Sequence, residues 1–348
     1  MIPWLKDKSV RQACAGRFLV AAAVALAAVA CRPEGPVQLY GEAQGTYYSI
    51  QYFDSGRRNL QPQVDSLLDA FDLSASLWVD SSLLRRLNAN ETDSVDDILA
   101  TLLEHSQEVC RYSGGAFDVR IGRLVQAWGF SFKTREEPDS AMLATLLEAS
   151  RGGIGIDSNN HVSKENPATE LDFNAIAQGY AVDLLASMFD SLGIESYLID
   201  VGGEVTARGC KPGGKPWRVG IERPAADRYS APVVMTAVEL RDGSLVTSGS
   251  YRKYYEKDGQ RYSHTIDPAT GRPVTHSLLS ASVVEKECWM ADAMATAYMV
   301  MGLEKAKAFI ASHSGQPGTG AVMFIYDNGG QLETYATPQF QSLQTKTR

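Results

Sequence analysis

The sequence predicts an α+β fold: one large domain with mixed or antiparallel sheets and packed helices. Three observations predict it. Helical and strand-like segments do not alternate regularly, as a doubly wound parallel sheet would require. Turn residues at Asp258-Gly259 and around Asn328-Gly329-Gly330 mark hairpins, which join antiparallel neighbours. No low-complexity linker and no repeat at a fixed period divides the 348 residues.

Taken in order, Thr46 to Phe53 is rich in Tyr and Ile between Gly45 and Asp54, and reads as a strand. Val64 to Leu73 has helical apolar spacing. Ser94, with Asp97 three residues on, has capping-box spacing; it opens a helix that runs to about Tyr112 and stops at Gly114-Gly115. A third helix covers Ala141 to Ser150. Ile176 to Leu192 is a helix ended by Gly193, and Tyr197 to Val201 is a strand running into Gly202-Gly203. Trp217 to Ile221, Val233 to Leu240 and Arg261 to Ile266 read as strands. Trp289 to Met301 and Glu304 to Ser312 are helices, and Val322 to Tyr326 with Glu333 to Ala336 form the last hairpin.

Hydrophobic residues make up 44% of the chain and charged residues 21%, ordinary values for a packed globular protein. The net charge of -8, with no basic run to offset it, argues against a nucleic-acid partner. The amino-terminal end is different. Lys6, Lys8, Arg11 and Arg17 precede an uncharged apolar run of thirteen residues, Phe18 to Ala30. That run is too short to span a bilayer comfortably and fits the core of a secretory signal. It ends in Ala28-Val29-Ala30-Cys31, small residues before a cysteine, which resembles the bacterial lipobox although Ala28 stands where Leu is commoner. Cys31 is then lipidated and becomes the mature amino terminus; the other reading is plain cleavage nearby with Cys31 incidental. Export permits disulfides, yet the remaining Cys110, Cys210 and Cys288 are far apart and odd in number, so neither a disulfide framework nor a zinc site is expected.

No nucleophile elbow, P-loop, HExxH or Rossmann fingerprint appears in the sequence. Three segments carry chemistry more readily than the scattered glycine turns. Leu171 to Asp183, LDFNAIAQGYAVD, reads as a strand end bearing Asp172, then a helix starting near Ala175 whose free N–H groups suit phosphate. Leu245 to Pro273 places a small-residue turn, Thr247-Ser248-Gly249, before a hairpin and contains His264. Met290 to Gly302 is an apolar helix interrupted by Asp292 and Thr296, which at i and i+4 share one face. A carboxylate and a hydroxyl there are hard oxygen donors suited to Mg²⁺. The pattern alone favours a plainer account: Asp292 as a cap near the helix start, Thr296 bonded back to its own helix.

Five ordered blocks alter the balance. SGGAFDVRIGRLVQAWGF from Ser113, LDFNAIAQGYAVD, DVGGEV from Asp200, the TSGSY-to-TGRP block and ADAMAT from Ala291 resemble the signature blocks of the ApbE family, the FAD:protein FMN transferases. The resemblance runs from Gly45-Thr46 to about Gln339, nearly all of the mature chain. It implies residues 1–31 as signal peptide, 32–36 as a short tether and 37–345 as an ApbE-like domain. It also implies Mg²⁺ held by the side chains of Asp292 and Thr296 and by main-chain oxygens of Ala175 and Ala295.

FAD, as substrate, would be held by Gln44, Trp78, the Ala116-Phe117-Asp118 turn, Asp172, Gln178 and the Ile266 backbone. Gly202-Gly203 and Thr247-Ser248-Gly249 would allow close backbone approach. His264 is the candidate base, with Asp292 or Asp172 as rival. Each residue has a plainer reading: Trp78 as a core aromatic, Asp118 as the anchor of its turn, His264 as a satisfied strand residue. Gln178 replaces a common Lys, Phe173-Asn174 a frequent Gly pair, and Gln44 a usual Met.

The implied reaction splits FAD with Mg²⁺, attaches FMN to a Thr or Ser hydroxyl of a partner protein, and releases AMP. Implied acceptors are exported flavoproteins such as subunits of membrane redox pumps. The enzyme would sit lipid-anchored on a bacterial membrane, facing the periplasm. Two alternatives remain open: an FAD pyrophosphatase, with water as acceptor, and an FAD-binding lipoprotein without turnover.

Overall fold

A computed structural model describes residues 35–130, 138–224, 231, 233–250, 254–257 and 260–345. The expected signal peptide, Cys31, most of the expected tether and the expected Asp258-Gly259 turn lie outside the described residues. The chain divides into two compact units, Met1–Pro36 and Val37–Arg348, and all the described strands and helices belong to the second.

Eight strands form the central sheet: β1 Val37–Ala43, β2 Thr46–Tyr52, β3 Tyr197–Val201, β4 Glu204–Arg208, β5 Gly243–Gly249, β6 Leu278–Glu285, β7 Ala321–Asn328 and β8 Gln331–Ala336. They stand in the sheet in chain order, every neighbour antiparallel. Three neighbouring pairs are joined by tight hairpins. Their turns, Gln44-Gly45, Gly202-Gly203 and Gly329-Gly330, all have positive φ, the backbone sense that matches strand twist. The other pairs are joined by longer excursions: those between β2 and β3 and between β6 and β7 carry helices, and those between β4 and β5 and between β5 and β6 carry short paired strands.

The longest excursion, between β2 and β3, holds α1 Gln61–Ala75, α2 Leu83–Asn88, α3 Asp97–Tyr112, α4 Gly122–Ala127, α5 Ser140–Arg151 and α6 Ala177–Ser191. Between β6 and β7 come α7 Cys288–Met301 and α8 Leu303–Ser312, and α9 Pro338–Leu343 follows β8. The long excursion closes where Tyr52 pairs with Tyr197. Phe189 of α6 packs edge-on against both rings, at 5.2 and 5.5 Å.

The sheet is buried on both faces, and strand alternation assigns the residues to them. Val246, Val283, Val322 and Phe324 face the helical layer, together with Leu68, Leu102, Leu185 and Met294. Their neighbours Leu245, Met323 and Ile325 face a hairpin of Trp217–Glu222 and Val234–Leu240 and Phe340 of α9. Helix α7 is apolar nearly all round, so it lies in the core. Its Ala291, Ala293, Ala295 and Ala297 are fully buried.

The α+β, antiparallel expectation agrees with this architecture, and four local expectations need correction. Helix α3 is capped by Asp96, which accepts the Leu99 N–H at 2.9 Å, and Ser94 instead bridges to His161. Asp96 directly precedes the first helical residue, so it reaches that N–H where Ser94 does not. Thr247-Ser248-Gly249 is no turn: it ends β5, paired with Ser282, Ala281 and Ser280 of β6. Arg261 to Ile266 is broken into two strands, Gln260–Ser263 and Ile266–Asp267, which pair with different partners. Helix α6 starts at Ala177 rather than near Ala175, because Asp172 and Asn174 form a side-chain turn just before it.

Candidate active site

The approach to α6 is fixed residue by residue. Asp172 donates its N–H to the Val119 carbonyl at 2.8 Å, and its carboxylate accepts the Asn174 N–H at 2.9 Å. The Phe173 carbonyl then accepts N–H groups from Ile176 and Ala177 at 3.0 and 2.8 Å. Ile176 has no side chain able to cap, so the first turn of α6 depends on groups from elsewhere. One comes from α7: Asp292 Oδ2 accepts the Gly179 N–H at 3.1 Å. Only glycine allows this approach, since a Cβ at 179 would stand 2.7 Å from the Cys288 carbonyl oxygen.

One turn along α7, Thr296 Oγ1 lies 3.1 Å from Ser248 Oγ on β5. Beside it, Thr247 Oγ1 lies 2.7 Å from Ser282 Oγ. The plainer readings of this pair therefore change: Asp292 serves another helix, and Thr296 engages the sheet. Ala295 is fully buried between them, and Ala175 lies just ahead of α6.

On the other side of α6, Gln178 meets the β3–β4 turn. A Cβ on Gly202 would lie 2.8 Å from Gln178 Nε2 and 2.7 Å from Thr46 Cγ2. Gly202 donates to the Tyr47 carbonyl at 2.9 Å and Gly203 to Asp200 Oδ1 at 3.0 Å. Next to Thr46, Gln44 occupies the β1–β2 turn at φ 54°. Gln44, Gly202, Gln178, Asp292, Thr296 and Ser248 thus form one strip along the ends of β2, β3 and β5 and the two helices.

The strip is electrostatically unusual. Burial raises the Asp172 carboxyl to about 6 and that of Asp292 to about 7, with Asp183 nearby adding to the second. Asp183, on α6, is itself raised to about 6 by burial although it accepts the Cys288 and Trp289 N–H groups at 2.9 and 2.8 Å. No Lys, Arg or His among the described residues ion-pairs with any of the three. Buried carboxylates lacking a cation attract one.

Among the described residues no group of three or more His, Cys, Asp or Glu side chains converges to hold a metal. The expected set is of another kind, one carboxylate completed by a hydroxyl and main-chain carbonyls, and hard oxygens of this sort fit Mg²⁺. The unpaired burial of Asp292 fits it too.

Of the remaining expected residues, the Ala116-Phe117-Asp118 turn adjoins the approach to α6, next to the Val119 carbonyl that accepts from Asp172, while Ile266, His264 and Trp78 have other neighbours. Phe117 is buried and donates its N–H to Ser113 Oγ at 3.0 Å. Ala116 precedes it in the same turn. Asp118 anchors that turn: Arg120 Nη2 and Nε bond its carboxylate at 2.6 and 2.9 Å. Ile266 packs with Leu124, Trp128 and Leu143 in a small separate core. His264 stands near the edge of Phe130, ring centres 6.4 Å apart. Trp78 is no core aromatic, being 59% exposed. Gly179 and Asp183 are not singled out by the sequence; a lone acid on the apolar face of a helix is the available signal for Asp183.

The antiparallel α+β domain is also the fold of solved flavin transferases. The apo flavinyl transferase ApbE of Pseudomonas stutzeri matches with a TM-score of 0.77 and 33% identity, over 88% of this chain and 96% of its own. The FAD:protein FMN transferase of Vibrio cholerae serotype O1 is 36% identical over 341 residues, covering 94% of this chain and 99% of that protein. Its counterpart in Escherichia coli K12 is 34% identical over 87% of this chain and 88% of that protein. Residues 44–321 match the profile of the ApbE family, and the chain belongs to that family.

Proposed function

We propose that this protein is an FAD:protein FMN transferase, an enzyme that moves FMN from FAD to a Thr or Ser hydroxyl of an acceptor protein and releases AMP. The observation that carries the reading is Asp292: a buried carboxylate without a cation, fixed at the open end of α6 and one turn from the Thr296–Ser248 pair. The names of the relatives support the same reaction.

Mg²⁺ would be held by the side chains of Asp292 and Thr296 with the carbonyl oxygens of Ala175 and Ala295. When bound it neutralises pyrophosphate charge, the principal demand of phosphoryl transfer. The chain supplies the rest. The first turn of α6, whose Gly179 N–H is held by Asp292, places the positive end of the helix dipole at the strip, which would favour phosphate there. Gly202 and Gly203 let the backbone come close, and Gln178 offers an amide donor beside them.

In the transfer, the acceptor oxygen bonds to the FMN phosphorus, the P–O bond to AMP breaks, and AMP leaves with the bridging oxygen. The hydroxyl proton passes to a base, for which His264 is the candidate, with Asp292 or Asp172 as rivals. The basic, apolar and small-residue sequence ending at Cys31 supports export and a lipid anchor. The acceptor is then an exported or membrane flavoprotein, such as a redox-pump subunit.

The test is co-expression with an exported redox subunit and mass spectrometry for added FMN. Asp292→Ala should abolish the mass gain while circular dichroism stays that of the parent. Undiminished transfer by Asp292→Ala would remove the metal assignment.

A further inference from the structure

Arg58, Arg85, Arg120 and Arg208 each hold an aspartate at 2.6 to 2.9 Å. Arg123, on α4, is different. It is half-buried, yet its guanidinium makes no ion pair and no hydrogen bond among the described residues. A guanidinium taken partly out of water with its N–H donors unused attracts an anion.

The second observation is the space that Arg123 lines, a cleft of about 410 Å³ between α4, α5 and residues 166–168. Its walls are small side chains, Ala144, Ala149 and Ala168. Asn166 Oδ1 accepts the Ala168 N–H at 2.9 Å, so the NH2 group is what Asn166 has left to offer. Glu148, exposed, is the one acid that lines the cleft. A guanidinium fork and an amide match a single carboxylate, which accepts parallel N–H bonds from the fork. Phosphate sites gather more, typically a run of main-chain N–H groups. Glu148 also disfavours a doubly charged ion. The alanine walls leave room for the chain that carries the carboxylate.

Two main-chain bonds join the cleft to the site. Gly122, beside Arg123, donates to the Glu170 carbonyl at 3.1 Å, and Asp172 donates to the Val119 carbonyl at 2.8 Å. The segment that walls the cleft at 166–168 thus continues into the strip at Asp172. Glu170 lies between them, but its carboxylate accepts from Gln126 Nε2 at 2.6 Å and not from Arg123.

We propose that this cleft receives a Glu or Asp side chain of the acceptor protein, and that Arg123 selects it. Arg123 is then a residue of acceptor specificity, outside the chemistry of FAD cleavage. The proposal rests on the transfer reading.

The test uses the full chain with FAD, Mg²⁺ and a purified exported redox subunit as acceptor. Losing a charged hydrogen bond, Arg123→Gln should raise the KM for the acceptor roughly tenfold, with kcat and the KM for FAD unchanged. Arg123→Glu should raise it further, because like charges then meet. The melting temperature of Arg123→Gln should match the parent, since no bond within the chain is lost. A Glu-Ala peptide should compete with the acceptor, and a Gln-Ala peptide should not. Parental acceptor KM in both variants overturns the proposal, as does equal competition by the two peptides. Inhibition by inorganic phosphate that disappears in Arg123→Gln overturns the carboxylate as ligand. Absence of any transfer by the parent overturns the transfer reading instead; binding of a labelled Glu-Ala peptide, and its loss in Arg123→Gln, still reports on the cleft.

Discussion

Asp183 and Asp292 cap each other's helices. Asp183 on α6 accepts the N–H groups of Cys288 and Trp289 that open α7, and Asp292 on α7 accepts the Gly179 N–H in the first turn of α6. The two helices run antiparallel with their amino ends overlapped, so each supplies the anion that the other's dipole favours. The arrangement fixes Asp292 without a basic partner and leaves its second oxygen outside that bond.

Asp183→Ala removes the acceptor for two N–H groups at once. Loss of a cap typically costs about 1–2 kcal/mol, and urea denaturation should show at least that. Asp183→Asn, which keeps an acceptor, should recover part of it. Equal stability of Asp183→Ala and parent would show the capping to be inert.

Gly179→Ala should fail for a steric reason. The added carbon meets the Cys288 carbonyl oxygen at 2.7 Å and Asp292 Cβ at 2.8 Å, both parts of α7 that cannot swing away. Overpacking of this kind costs about 1–3 kcal/mol. Flavin transfer should drop further than stability does, since Asp292 is displaced; comparing initial rates with melting temperatures reads the difference.

Stability of the metal-free protein should fall as pH rises. Burial raises Asp172 and Asp183 to about 6 and Asp292 to about 7, against roughly 3.9 in an unfolded chain. Between those values the folded state binds more protons than the unfolded state, so stability is full at the acid end and is lost as pH climbs through 6 to 7. Asp54 is shifted the other way, to about 2 by Arg58, but titrates below that window; His105 and His276, both lowered by burial, gain stability as pH rises within it and offset part of the fall. Calorimetry should give a higher melting temperature at pH 5 than at pH 8, with Asp172→Asn narrowing the gap. A melting temperature that instead climbs from pH 5 to pH 8 would contradict the assignment.

Trp78, being exposed, should contribute little to stability: Trp78→Ala is expected within about 0.5 kcal/mol of the parent. Its effect should appear in the products. With FAD and Mg²⁺ but no acceptor, Trp78→Ala should release AMP and FMN faster than the parent if the ring shields the site from water. Identical rates by chromatography would dismiss that role.

Sequence carries the elements whose signal is local. Helix α7 is legible because a run apolar on every side can only be buried, and the β7–β8 hairpin because glycines at 329 and 330 take positive φ. Strand β1 is harder to read, since only Leu39 of its seven residues is buried and the exposed Tyr40 beside the inward Gly41 blurs the apolar alternation. The end of β5 looks like a turn because Thr, Ser and Gly are turn formers; pairing with β6 beneath α7 overrides that preference. In the site, the spacing of Asp292 and Thr296 places them one turn apart, while their contacts with Gly179 and Ser248 are tertiary and leave no trace in local pattern.

Tyr52 and Tyr197 stand side by side in the sheet although residues 53–196 separate them along the chain. No other neighbouring strands require so wide a loop to close, and the closure entropy there is the largest in the sheet. The site strip draws on residues from before, within and after that loop: Gln44 and Thr46, then Gln178, then Gly202 and Asp292. A dinucleotide spanning them, as proposed, would act as a clasp across the seam and stabilise the closed form by mass action. The joint that is hardest to bring together is the one its own ligand would fasten.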